Sequence, residues 1–168
     1  MLGIIKRSFS DVDSFSFVLL YKSFVRSHLE YANSVWSPYK IGVLQDIERV
    51  QKLATKHIRG CKNMSYMDRL KHLQLPTLKY RRLRGDMIEV YKILMMYDES
   101  IVPHLPKNSD VRTRGNSCKL LVERCKYNVR KFSFCHRIIS VWNSLPKSVI
   151  ESESVNSFKS NLDNLWVR

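Results

Sequence analysis

The sequence is poor in acidic residues and in glycine, and each shortage excludes a class of catalytic site. Asp and Glu number 15 against 29 Lys and Arg, and no two aspartates are adjacent. Two-metal nucleotidyl transfer requires carboxylates that converge on the metal ions. The five glycines lie too far apart for a phosphate-binding loop, and no serine or cysteine stands on a glycine-flanked turn. We therefore predict a chain with no catalytic centre of its own and no small-molecule substrate.

Cysteine is also sparse, and its spacing fits neither a disulfide scaffold nor a zinc site. Cys61, Cys118, Cys125 and Cys135 lie far apart, and no secretory signal precedes them. Between the last three the gaps are six and nine residues, wider than the knuckles of zinc sites, and His136 directly follows Cys135. We predict unligated thiols in a reducing compartment, nuclear or cytoplasmic, with no metal and no other cofactor.

Long apolar runs are missing, while positive charge is abundant. No apolar run approaches the roughly 20 residues that span a bilayer, so no membrane partner is predicted. The net charge is +14, and 44% of the residues are hydrophobic. Such a chain should fold and attract polyanions, although the charge by itself fits a solvated basic surface equally well.

Apolar residues at spacings of three and four predict a mainly α protein with about six helices. The first helix, whose buried face should include Phe24 and Tyr31, should end near Ser37 and Pro38. The second should run from residue 43 to 59, with Gly60 as its stop. Ser65 and Asp68 resemble a capping box. We predict a helical domain over 1–99, a linker loop over 100–117 and a docked C-terminal appendage over 118–168. In the appendage, 118–123 and 125–129 fit either a short β-hairpin or coil, and two helices follow.

Two basic stretches are the candidate binding surface. The second helix should present four cations on one stripe, with only Asp46 and Glu48 nearby to offset them. The segment between residues 112 and 137 holds eight basic residues against the single Glu123. The candidate nucleic-acid contacts are Arg49, Lys52, Lys56, Arg59, Arg112, Arg114, Lys126, Arg130 and Lys131. A solubilising role for the same charges remains open.

Several blocks, taken in order, resemble a known family. They are LYKSFVRSHLEYA (20–32) with VWSP (35–38), IERVQK (47–52) with ATK (54–56), LPTL (75–78) with YRRLRGDM (80–87), TRG (113–115), WNSLP (142–146) and VNSFK (155–159). Their order and spacing are similar to the thumb and post-thumb region of jockey-like non-LTR (LINE-type) retrotransposon reverse transcriptases. The resemblance covers essentially the whole chain.

The resemblance implies a thumb-type bundle of about four helices from an RNA-directed DNA polymerase. In the family, the endonuclease and the palm aspartates would lie before Met1. A thumb grips an RNA–DNA or DNA duplex through its phosphates, without sequence preference, and packs on the palm domain of the parent polymerase. Where the family commonly has proline this chain has Ser27, so the first helix is expected to run on without a kink. The alternative is a protein-interaction module or an inert remnant of a transposable element, because a thumb without its palm exposes apolar surface.

Overall fold

A computed structural model describes residues 1–8, 13–98, 100, 105–107 and 118–166, and their regular structure is almost entirely helical. The helices are α1 (Leu2–Ser8), α2 (Ser14–Leu20), a π-helical segment (Tyr21–Arg26), α3 (Ser27–Glu30), α4 (Ile41–Lys56), α5 (Tyr66–His72), α6 (Leu78–Met95), α7 (Asn128–Lys131), α8 (Phe134–Arg137), α9 (Ile139–Asn143), α10 (Lys147–Ile150) and α11 (Val155–Trp166). The β structure of the described residues is one antiparallel bridge between Lys107 and Leu120. The predicted mainly α class is confirmed.

The chain forms two compact units, which divide it differently from the predicted domains. One unit comprises Met1–Asn33 and Pro38–Arg82, and the other comprises Ser34–Ser37 and Leu83–Arg168. The division lies inside α6 because the later residues of that helix share a core with the C-terminal third. A domain end at residue 99 stays a prediction. Most of the predicted linker 100–117 lies outside the described residues.

The core of the first unit joins α1, α2, the π-helical segment, the end of α4 and α5. Its buried apolar side chains are Ile5, Phe17, Tyr21, Val25, Ala54, Ile58, Cys61, Leu70, Leu73 and Leu75. Helix α2 begins at Asp13, whose carboxylate accepts hydrogen bonds from the backbone N–H groups of Phe15 and Ser16. Helix α5 begins at Ser65, whose hydroxyl accepts from the N–H of Asp68 at 3.2 Å, so the predicted cap is confirmed.

The predicted first helix is wrong in its end and in part of its buried face. Helical backbone continues through Ser27 but ends at Glu30 rather than near Pro38, and Ala32 has a φ of 51°. Phe24 and Tyr31, which were expected on the buried face, are 52% and 77% exposed. A π-helical turn contains an extra residue, so a stripe with spacings of three and four does not continue through it.

A buried polar network connects α4 to the elements that follow it. Gln51, which is fully buried, accepts a hydrogen bond from the Tyr21 hydroxyl at 2.8 Å. Its amide donates to the Tyr66 hydroxyl at 3.2 Å and to the Pro76 carbonyl at 3.0 Å. Burial raises the pKa of both tyrosines, so their hydroxyls stay protonated. The network fixes α4 in one rotational position, because a half turn would leave these groups without partners.

The core of the second unit lies between the later part of α6 and the helices α8 to α11. Its fully or nearly fully buried side chains include Met87, Val90, Tyr91, Ile138, Trp142, Ile150, Phe158 and Leu162. The rings of Tyr91 and Phe158 are stacked with centroids 4.4 Å apart. The C-terminal third therefore shares one core with α6.

The hairpin alternative for the appendage is wrong in the described residues, where 121–125 are irregular and α7 begins at Asn128. The side-chain amide of Asn143 takes the place of a partner strand. It accepts from the N–H of Leu120 and donates to the carbonyl of the same residue, both at 2.9 Å. The next N–H, of Leu121, donates to the Pro106 carbonyl at 2.8 Å. Five helices, α7 to α11, follow instead of the two predicted, and the first four of them have only four or five residues each.

Candidate nucleic-acid interface

Helix α4 presents a cationic face on the first unit. Arg49, Lys52 and Lys56 are all exposed. Their spacings of three and four place them within an arc of about 60° around the helix axis. The Nζ atom of Lys52 lies 5.2 Å from the ring centroid of Tyr66, a cation–π contact that holds its long side chain along the surface. Three of the four cations predicted on this stripe thus share one face.

Arg59 lies beyond the end of α4, so the helical stripe itself does not extend to it. Helix α4 ends at Lys56, and the N–H of the capping residue His57 donates to the Ala54 carbonyl at 3.1 Å. Gly60, the predicted stop, lies four residues beyond the last helical residue and has a φ of 79°. Arg59 is exposed in the turn between them.

Of the two acids expected to offset the stripe, Glu48 is turned into the protein. Its carboxylate accepts from the backbone N–H of Leu78, at 3.1 Å, and from the Tyr66 hydroxyl. Leu78 is the first residue of α6, so Glu48 serves as an N-terminal cap supplied from a distant helix. Because the Glu48 carboxylate is engaged in these hydrogen bonds, Asp46 is the exposed acid of α4 near the cations.

Beside the end of α4 lies a cleft of about 510 Å³, which we call the basic cleft. Its lining is Lys6, Leu53, Lys56, His57, Ile58, Arg59, Gly60 and Lys62. Sequence reasoning missed Lys6 and Lys62 as site residues. Lys62 had a signal, because no acid occurs between Glu48 and Asp68. Lys6 comes from α1, and only the fold brings it to the cleft.

The electrostatics of His57 reflect this setting. Burial lowers the pKa of its imidazole, and the charge of Lys6 lowers it further. Among the described residues, no ion pair joins Lys6, Lys56 or Lys62 to a carboxylate. The basic cleft is therefore a region of concentrated positive charge.

The second predicted group lies in the other unit and is exposed. Lys126, Arg130 and Lys131 all have exposed side chains. Arg130 forms an ion pair with Glu123 at 3.0 Å. Because both side chains are exposed to solvent, this pair contributes little to stability. Arg112 and Arg114 lie outside the described residues. Three of the five predicted C-terminal contacts are therefore described, and all three are exposed.

One neighbouring basic residue has a structural role instead. Arg137 donates two hydrogen bonds to Asp86, at 3.0 and 2.9 Å. This bidentate pair fixes α8 to α6 and is largely buried.

Ser133, His136 and Glu123 lie close together in the same region, in an arrangement that invites comparison with a catalytic triad. The Ser133 Oγ is 3.0 Å from the His136 Nδ1, and the His136 Nε2 is 3.6 Å from the Glu123 carboxylate. However, the hydroxyl of Ser133 donates its one hydrogen to the Arg130 carbonyl at 2.7 Å. The Oγ can then only accept from His136, so the imidazole is not placed as its base.

Side chains that could bind a metal do not converge in the described part of the chain, where no three His, Cys, Asp or Glu side chains are placed to hold one metal ion. The four cysteines are not joined in disulfides. No helix in this part of the chain is long and apolar enough to cross a membrane.

Comparisons with protein-family models, with curated proteins and with solved structures found no significant match to this chain.

Proposed function

We propose that this protein is a non-catalytic nucleic-acid-binding module that holds an RNA–DNA or DNA duplex through backbone phosphates. The observation that carries the proposal is the exposed cationic face of α4, from which the acid Glu48 is withdrawn. Without that withdrawal, a carboxylate four residues before Lys52 would partly neutralise the face.

Such a face acts by position and charge. A helix that lies along a duplex can meet successive phosphates with Lys and Arg, and these contacts fix orientation without reading bases. Arg49 can engage a phosphate in a bidentate manner, whereas Lys52 and Lys56 act as point charges. The binding should therefore be independent of sequence and strongly dependent on salt.

The sequence resemblance supplies the wider context of the proposal. As the thumb and post-thumb region of a LINE-type reverse transcriptase, the chain would hold the template–primer duplex for a palm domain that carries the aspartates. It would do so inside the cell, in the nucleus or cytoplasm. The mainly helical fold supports this reading, because thumbs of polymerases of this type are helical.

The experiment measures duplex affinity as a function of salt. For each phosphate contact, the logarithm of affinity should fall with the logarithm of salt at a slope of roughly −0.9 on B-form DNA. Replacing Arg49, Lys52, Lys56 and Arg59 together by Gln should make the slope shallower by up to about 3 to 4 units. All four side chains are exposed, so the fold should persist.

The matched control removes four exposed cations of the same unit that lie outside the interface. They are Arg7, Lys40, Lys71 and Lys79, each replaced by Gln. The control has the same net charge as the test variant. If both variants change the slope equally, only the overall charge matters. An affinity that does not change between low and moderate salt would refute the proposal.

A protein-interaction module is the second candidate, favoured by one specific surface. Phe15 and Leu19, four residues apart on α2, are 77% and 57% exposed. They line an open groove of about 300 Å³ with Val18 and Leu73. Exposed apolar groups in one place favour association. Sedimentation velocity should then show self-association or a captured partner, and the Phe15→Ser, Leu19→Ser variant should lose it. The affinity of this association should not depend on salt.

A further inference from the structure

The basic cleft is more than an extension of the α4 face, because it gathers charge from two separate segments. Lys6 belongs to α1, whereas Lys56, Arg59 and Lys62 belong to the end of α4 and the turn after it. Together they give the lining four formal positive charges, and no carboxylate is among the lining residues. Two of these side chains, Lys6 and Lys62, are outside the proposed duplex contacts.

Like charges around one concavity repel each other, and His57 lies within reach of the charge of Lys6. The charge of Lys6 disfavours protonation of the imidazole, in addition to the effect of burial. Low-dielectric walls strengthen this field, and here Leu53 and Ile58 supply apolar lining. An anion bound in the cleft would offset the repulsion among these cations.

The end of a helix has a partial negative charge, which opposes anion binding. This charge amounts to about half an elementary charge and is felt within the last turn. The N–H groups of His57 and Cys61 donate to the Ala54 and Ile58 carbonyls, both at 3.1 Å, and so satisfy two of the carbonyls in this region. The full charges of Lys6, Lys56 and Lys62 outweigh this partial negative charge.

The concentration of charge selects the class of anion. A phosphodiester of a nucleic-acid backbone carries one negative charge. A phosphomonoester carries about −1.5 to −2 near pH 7, and a diphosphate carries more. A cleft of about 510 Å³ has room for such a group together with several water molecules, each of which occupies about 30 Å³.

We propose that the basic cleft binds a compact phosphate group with two or more charges, as found at the phosphorylated end of a nucleic-acid strand or in inorganic pyrophosphate. Lys6 and Lys62 hold it from separate segments of the chain, and Lys56 supplies a third cation. Gly60 lies among the lining residues with a φ of 79°, a backbone conformation that disfavours other residues.

The test titrates the whole protein with pyrophosphate at low salt by calorimetry, and follows the Gly60 amide by NMR. The parent should bind, with the Gly60 signal among those that shift. The variant Lys6→Gln, Lys62→Gln should bind about tenfold more weakly. The control Lys40→Gln, Lys79→Gln removes two exposed charges of the same unit and should retain nearly full affinity. Equal losses in both variants would overturn the proposal.

A second arm distinguishes the source of the phosphate. Oligonucleotides of one sequence, with a 5′-phosphate or a 5′-hydroxyl, are compared on the parent and on the Lys6→Gln, Lys62→Gln variant. A preference for the phosphorylated strand that this variant loses identifies a strand end as the ligand. Equal affinity for both strands, with pyrophosphate still bound at Gly60, identifies the free anion. If neither ligand depends on Lys6 and Lys62, the proposal fails.

Failure of the cleft and failure of the duplex proposal give different results. Arg49→Gln, Lys52→Gln should flatten the salt dependence of duplex binding and leave pyrophosphate affinity unchanged, because neither residue lines the cleft. The single variant Lys62→Gln alters one exposed side chain and keeps the test valid if the double variant does not fold. Thermal unfolding monitored by circular dichroism establishes which variants are folded.

Discussion

Removal of the Glu48 carboxylate should destabilise the first unit far more than its position on a charged helix suggests. The carboxylate accepts from the Leu78 N–H and from the Tyr66 hydroxyl, and Leu78 is fully buried. Loss of a helix cap costs about 1 kcal/mol, and a hydrogen bond to a charged group contributes about 1.5 to 3 kcal/mol. Glu48→Ala should therefore lower the free energy of unfolding by about 3 kcal/mol. Glu48→Gln keeps an acceptor oxygen and should cost about 1 kcal/mol.

Urea unfolding followed by circular dichroism measures the effect. A loss of about 3 kcal/mol corresponds to a midpoint shift of about 1 to 2 M urea for a small domain. The control is Asp46→Ala, which removes an exposed carboxylate two residues earlier on α4 and should change stability by less than about 0.5 kcal/mol. A double-mutant cycle of Glu48→Ala with Tyr66→Phe should give a coupling of about 1 kcal/mol or more.

The outcome that refutes this reasoning is equal destabilisation by the changes at Glu48 and Asp46. In that case the loss would come from the general repulsion of a chain with a net charge of +14, and not from the cap. A coupling energy near zero with Tyr66 would separately exclude the hydrogen bond as the source.

Three further predictions concern the pH response, the second core and catalysis. Burial and then the charge of Lys6 hold the pKa of His57 below its ordinary value, so the unfolded chain takes up this proton at higher pH than the folded chain. The stability that this shift contributes is complete above about pH 6.5 and is lost as the pH falls through the pKa of the folded state. NMR titration should show that Lys6→Gln raises the pKa of His57 partway towards its ordinary value. Phe158→Ala should cost about 3 to 5 kcal/mol in thermal or urea unfolding, because the ring is fully buried and stacked on Tyr91, whereas Leu165→Ala, at a 37% exposed side chain, should cost little. The purified chain should extend no primer and cut no DNA with magnesium or manganese, because it lacks paired carboxylates. Metal-dependent incorporation of nucleotide that is lost through a point substitution in this chain would contradict the prediction.

Local patterns were sufficient for several features of the fold. Helical spacing predicted the mainly α class, and the Ser65 cap was read correctly because a capping box involves residues only three apart. The exposure of Arg49, Lys52 and Lys56 also followed from spacing, since the apolar side of α4 determines which side is solvated. In each case the interacting groups lie within one or two helical turns.

Features that depend on distant partners were beyond the sequence patterns. The hairpin alternative failed because the amide of Asn143 satisfies the backbone of Leu120, 23 positions away. The first helix ended early and changed to π-helical form, and neither the spacing of its apolar residues nor the presence of Ser27 indicated this.

The candidate site also combines local features with features that depend on distant segments. The concentration of cations on α4 could be predicted from the sequence, because residue identity and helical period are local properties. The tertiary fold set the inward position of Glu48, which caps α6 30 positions away. It alone brought Lys6 of α1 to the cleft at the end of α4. The sequence fixes which residues carry charge. Whether these charges are neutralised or concentrated depends on the distances between segments, and folding sets those distances.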